Sequence, residues 1–219
     1  MEISSSSTEV TEILASHTTT SSNGILAAII IALSVPFLTQ NAFAGGIKGK
    51  VRLSDRSSSA GTVVYIEHVD STFKPPADPV VMDQKDMKFI PHVLAIVAGT
   101  TVKFTNSDNV LHNVFTPSQC AGSFDLGTWP KGESRSHVFT EPDCFSIILC
   151  NVHPQMQAWI AVLQNPYYTM VNKDGSFEIR NVPARHYLLK AWHGFYQDGS
   201  AEVDVTESGT VVENFTLQR

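Results

Sequence analysis
The chain has 219 residues, more than one small β-domain needs and enough for two domains or for a domain behind a leader. Its formal net charge is −6, with 16% charged residues. That mild acidity argues against a nucleic-acid partner, which needs a clustered basic face.

Residues 1–23 are dominated by Ser, Thr and Glu, and 24–38 form an almost unbroken apolar run that leads into Thr39-Gln-Asn-Ala42-Phe43-Ala44. Fifteen such residues fall short of the roughly 20 that a comfortable membrane span wants. The Ala42-x-Ala44 ending reads as a secretory cleavage site. Residues 1–44 are therefore expected to be a signal peptide, with a mature chain that starts at Gly45, keeps no stable membrane span and resides in the periplasm or outside the cell. The leader departs from the usual pattern in having no Lys or Arg before the apolar run. An uncleaved anchor is the other reading.

Beyond Gly45 no convincing helical period appears. Short β-branched or aromatic runs recur between Gly, Pro, Asn and Asp: 47–53, 62–69, 79–82, 93–97, 101–105, 113–116, 136–140, 145–149 and 158–163, then 168–171, 177–180, 186–192, 201–205 and 210–217. That spacing is the signature of β-sandwiches. Residues 117–135 are the least regular segment, expected to wrap the side of the fold rather than add a strand.

One stretch concentrates the chemistry. In 144–162 the residues Cys150, His153 and Met156 stand three apart between two strand-like runs. A thiolate, an imidazole and a thioether on one tight loop are soft and borderline donors, the kind that select copper over zinc, magnesium or calcium. About forty residues upstream, Asn106-Ser-Asp-Asn-Val-Leu-His112-Asn113 offers a second imidazole at the edge of another apolar run. Two histidines and a cysteine with a weak axial methionine describe a blue-copper electron-transfer site. Taken singly, a Cys or a Met is more often a core residue; the combination is what points to a metal.

These residues resemble the cupredoxins, the small blue copper proteins of the plastocyanin and amicyanin type. Phe89-Ile-Pro91, Gly99-Thr-Thr-Val102-Lys-Phe104-Thr-Asn106, His112-Asn113 and Phe139 through Met156 follow that family's order of strands and loops, and the Cys-x2-His-x2-Met loop has amicyanin-like spacing. The whole chain after the leader is also similar to plastocyanin-like proteins of the kind labelled methylamine-utilisation proteins. The resemblance implies one type 1 copper per chain, with His112, Cys150, His153 and Met156 as ligands. It implies that Asn113 holds the two ligand loops together, and that His153 presents its ring edge within an apolar patch where redox partner proteins dock. With Cys150 kept as a thiolate for the metal, Cys120 and Cys144 are left to form a disulfide, which an oxidising compartment favours; two free buried thiols are the alternative.

The tail has its own likeness. Asn172-Lys-Asp174-Gly175-Ser-Phe177 through Tyr187-Leu-Leu resembles a carboxypeptidase regulatory-like module, a transthyretin-like sandwich in which Asp-Gly makes a hairpin turn. Gly46-Ile-Lys-Gly-Lys-Val-Arg-Leu and Thr62-Val-Val-Tyr-Ile-Glu look like its opening strands. The expected architecture is all-β: a cupredoxin Greek-key sandwich at 73–165, inserted into a second small sandwich made of 45–72 and 166–219. Two consecutive domains are the other arrangement. Asn172 and Asp174 could suggest a calcium loop, but the further oxygen ligands are missing and a turn explains Asp174-Gly175 better.

The function these features imply is one-electron transport by an exported copper protein. The alternative is a copper-binding or copper-handling protein without a carrier role. An enzyme is not expected, since no His-x-His pair and no nucleophile elbow appear. His92, just after Pro91, is the remaining histidine to test for closeness to the metal.

Overall fold
The computed structural model describes residues 44–219, so the expected leader lies outside the described residues except for Ala44. The described chain is all-β, as expected, with a single short 3-10 turn at Gln119–Ala121. Seventeen strands are formed: β1 (Ala44–Leu53), β2 (Val63–Ile66), β3 (Val80–Lys85), β4 (Lys88–Ile90), β5 (Val93–Val97), β6 (Thr100–Asn106), β7 (His112–Phe115), β8 (Asp125–Trp129), β9 (Ser134–Phe139), β10 (Cys144–Leu149), β11 (Gln157–Leu163), β12 (Tyr168–Met170), β13 (Ser176–Pro183), β14 (Arg185–Trp192), β15 (Gly199–Val205), β16 (Thr210–Val212) and β17 (Phe215–Leu217). No helix among the described residues is long and apolar enough to cross a membrane.

The strands make four sheets. A central sandwich consists of the sheet β4-β3-β6-β9 and the sheet β5-β11-β10-β7-β8. Its core includes Met82, Phe104, Trp129, Phe139, Ile148 and Ile160, all 2% exposed or less. A flanking sandwich consists of β13-β1-β16, with β17 also on β1, and of β12-β2-β14-β15. Its core includes Ile47, Val64, Ile66, Phe177 and Leu189. Strands β1 and β2, from the start of the described chain, thus pair with strands that follow residue 165, and the central sandwich lies between them in sequence.

The two sandwiches also share an apolar seam. Along β11, Ala158, Ile160 and Val162 face the central core, while Ala161, Leu163 and Trp159 face the flanking sandwich. Along β2, Val64 and Ile66 face the flanking core, while Val63 and Tyr65 join the seam. A strand covered on both faces has no polar side to alternate with, which is why 158–163 reads as a continuous apolar run. Fully burying each large side chain of such a layer contributes about 1.5–3 kcal/mol. Polar clasps close the edges: Gln164 exchanges hydrogen bonds with the backbone of Val69, and the Tyr168 hydroxyl donates to Ala95 O at 3.1 Å.

Two local expectations are corrected. The segment 117–135 does add a strand, because β8 pairs with β7, matching His112 with Trp129 and Asn113 with Thr128. Only Trp129 of that strand is buried and Gly127 interrupts it at φ +75°, so no alternation marks it in the sequence. The Asp174–Gly175 turn is tight, with Asn172 N–H donating to Ser176 O at 2.9 Å and Gly175 at φ +83°. It is not a hairpin, however, since β12 and β13 diverge to opposite sheets. The Cys120–Cys144 disulfide is present, tying the 3-10 turn to the start of β10.

Candidate metal centre
The expected donors gather at one end of the central sandwich. His112 is the first residue of β7, Cys150 directly follows β10, and Met156 directly precedes β11. His112, Cys150 and Met156 are 0%, 3% and 1% exposed, and His153 is half-buried on the loop between them. Donor atoms of His112, Cys150 and His153 all lie within 4.8 Å of one another. Met156 N–H donates to His153 O at 2.9 Å, which closes the loop into a tight turn and folds Met156 into the core beneath.

The ladder between β7 and β10 explains how a thiol comes to sit beside a histidine. These strands pair at Leu149↔Phe115. Further along, side chains replace the ladder: Asn113 N–H lies 3.4 Å from Cys150 Sγ, and Asn151 N–H donates to Asn113 Oδ1 at 3.1 Å. The Asn113 amide nitrogen donates to Asp125 Oδ1 at 2.6 Å and to Gly127 O at 2.9 Å, so β8 anchors the same side chain. Asn113 therefore spans the two loops that carry His112 and Cys150, with its backbone N–H aimed at the sulfur.

The two imidazoles meet with Nδ1 atoms 3.0 Å apart and ring centroids 4.8 Å apart. On its other side His112 Nε2 lies 2.8 Å from Asp108 Oδ2. An ionised carboxylate can only accept, so Nε2 carries a proton, and in the neutral ring Nδ1 then keeps its lone pair. At 3.0 Å the two Nδ1 atoms are within hydrogen-bond distance, so a proton on His153 Nδ1, or a cation among the donors, can bridge them. Imidazole, imidazole and thiolate suit copper, and the residues present fit that metal. Burial works against ionisation of Asp108, but hydrogen bonds from Met87 N–H, His112 and Asp86 N–H outweigh it and hold the carboxyl below its ordinary range.

His92 does not join the donor group. It lines a surface pocket of about 320 Å³ together with Met87, Phe89 and Met156, and its carbonyl accepts from Trp159 N–H at 2.9 Å. Of the other histidines, His137 stacks on Phe124 at 3.9 Å, where burial lowers its pKa, and His186 pairs with Asp204 at 2.8 Å. Sequence reading missed Asp108 and Asp125. Asp108 had one available signal, a carboxylate four residues before His112 in a turn-rich Asn-Ser-Asp-Asn segment.

No protein-family model matches the chain, and no curated protein matches it. Among solved structures it is similar to amicyanin from Paracoccus versutus, at 25% identity over 45% of this chain and 96% of that one, with a TM-score of 0.36. It is similar to the purple cupredoxin from Nitrosopumilus maritimus, at 24% identity over 38% and 98%, with a TM-score of 0.34. It is also similar to the copper-containing nitrite reductase from Thermus scotoductus, at 27% identity over 46% of this chain and a TM-score of 0.39. The chain spans a quarter of that reductase's length. Over these parts of its length the chain is similar to cupredoxins.

Proposed function
We propose that the protein is an exported type 1 copper protein that carries single electrons between redox partners, holding one copper per chain through His112, Cys150, His153 and Met156. The observation that carries this reading is the meeting of two imidazoles and a buried thiol, with donor atoms within 4.8 Å of one another. When bound there, copper supplies a one-electron couple between its cuprous and cupric states. The protein's residues do the rest. Asn113 N–H steadies the charge on Cys150 Sγ, and Asp108 holds the His112 ring. The β-scaffold keeps the donors in one arrangement, which limits the reorganisation that would slow electron exchange. Burial of His112, Cys150 and Met156 fits exchange through His153 better than substrate binding at the donors, and this supports a carrier rather than an enzyme.

Leu111 precedes His112 and Val152 precedes His153, and with Val110 these side chains are 52%, 43% and 46% exposed. An apolar surface beside the half-buried His153 suits a small, short-lived interface with a redox partner. The disulfide supports export, because such bonds persist in oxidising compartments. We read the two sandwiches as two domains, 73–165 inserted between 45–72 and 166–219, a division supported by the pairing of β1 with β13 and of β2 with β14.

The test is to load the purified protein with Cu(II) and record its visible spectrum beside that of Cys150→Ser. A blue absorption that bleaches reversibly on reduction and vanishes in the variant is expected. A colourless protein, or colour that survives the substitution, refutes the assignment.

A further inference from the structure
We propose that Asp108 is a positioning residue for the donor group: its carboxylate selects the tautomer of His112 and locks that ring to the turn between β3 and β4. The consequence for copper rests on the function proposed above; the geometry does not.

Three donors converge on this carboxylate. Oδ1 accepts from Asp86 N–H at 2.8 Å, and Oδ2 accepts from Met87 N–H at 2.9 Å and from His112 Nε2 at 2.8 Å. Asp86 and Met87 are the two residues between the paired Lys85 and Lys88, and both have positive φ, +54° and +53°. Turns of this hand are usually filled by Asn-Gly or Gly, because other side chains are strained there. Such a backbone directs successive N–H groups into one concavity that suits an anion. Asp108 is that anion, and its acceptance of both N–H groups offsets the strain of the turn.

The carboxylate is itself held from behind. Asn106, 2% exposed at the end of β6, accepts Asp108 N–H at 2.9 Å and donates to Val110 O at 2.9 Å and to Trp129 O at 3.0 Å. The loop from β6 to β7 is thus pinned on its inner side by an amide and on its outer side by the turn. Between the two pins, Asp108 has no freedom to follow a rotating imidazole, so the imidazole must conform to it. The other tautomer would place the Nε2 lone pair against a carboxylate oxygen at 2.8 Å, which is repulsive. Of the two neutral tautomers, only the one with Nδ1 bare, facing His153, is compatible with this site. Asn113 holds the sulfur side of the donor group, and Asp108 holds the nitrogen side.

The experiment uses the metal-free full chain, labelled with 15N at histidine. Long-range 1H–15N spectra at mildly alkaline pH are expected to show the His112 proton on Nε2. Asp108→Asn must turn an amide NH2 toward at least one of the three donors. It is expected to weaken that preference, to shift the Asp86 or Met87 amide resonance, and, in the copper-loaded protein, to speed removal of Cu(II) by a chelator roughly 10–100-fold. Asp83→Asn, which removes a carboxylate from strand β3 that does not touch His112, is expected to change none of these.

A wild-type His112 protonated on Nδ1, or mixed between tautomers, overturns the proposal, and this measurement decides even if the variant fails to fold. Unchanged tautomer, amide shift and copper release in Asp108→Asn also overturn it, as does an equal effect from Asp83→Asn. A wild-type protein with the expected tautomer that takes up no copper supports the positioning role while refuting the copper reading.

Discussion
The indole of Trp159 meets that of Trp192 edge to face, with ring centroids 5.4 Å apart at 72°. One belongs to the central sandwich and the other to the flanking one, and Trp192 stacks in addition on Phe145 at 4.7 Å. Trp192 is 7% exposed, so truncation leaves a cavity in the seam and removes two aromatic contacts. Trp192→Ala is expected to cost about 3–5 kcal/mol, read as a lower urea midpoint. A midpoint equal to that of the wild type would remove the seam as a source of stability.

Asn113 makes a separate prediction, because its backbone and its side chain have different tasks. Asn113→Ala keeps the N–H that faces Cys150 Sγ and loses the links to Asn151, Asp125 and Gly127. The thiolate-dependent colour should therefore persist. The melting temperature should fall by an amount equivalent to roughly 1–3 kcal/mol, the net worth of the lost hydrogen bonds at about 0.5–1.5 kcal/mol each, and the metal should leave faster. Calorimetry and a chelator assay on one preparation read both effects. Loss of colour with unchanged stability would contradict this division of tasks.

The disulfide joins residues 24 apart in the sequence. A loop of that size loses closure entropy in the unfolded chain worth about 3.5 kcal/mol. The double substitution Cys120→Ser with Cys144→Ala should lower stability by up to that amount. It should leave the His112, Cys150 and His153 group able to bind metal, since none of these is a member of the bridge. Unfolding curves and a copper titration of the variant test both halves.

How far the sequence discloses this molecule depends on which faces of a strand are seen by water. The soft-donor loop is local, so Cys150, His153 and Met156 are readable from their spacing alone, and His112 from its place before an apolar run. Strand β5 is readable because all five residues are apolar between Pro91-His92 and Ala98-Gly99. Strands β4 and β8 are not, because each buries a single side chain, Phe89 or Trp129, and so shows no alternation along its length. The separation of β12 from β13 across the Asp174–Gly175 turn is a tertiary choice, made when β2 and β1 claim them separately. Asp108 escapes notice for the same reason: two of its three donors come from a turn more than twenty residues upstream.

Acid should act on the flanking sandwich through Asp55. The Tyr196 hydroxyl donates to its carboxylate at 2.7 Å and Ser57 N–H at 3.0 Å, and in that order these bonds hold its pKa down to about 2 from an ordinary 3.8. The folded value lies below the unfolded one, so the native state binds fewer protons between them. The stability contributed by Asp55 is complete above about 4, declines as pH falls through that window, and is lost below about 2. Tyr196→Phe removes the largest cause and should flatten this part of a stability-against-pH curve measured by denaturant unfolding. An unaltered acid limb would rule Asp55 out as its source.

The chain leaves the flanking sandwich after β2 and re-enters it at β12, so the central sandwich is attached through two connections and an apolar wall rather than through one hinge. A body fastened in this way does not swing. Any protein that gripped the flanking sandwich would find His153 at one distance and one angle each time it returned. The encounter would then depend on where the visitor lands and not on a turn of the central sandwich.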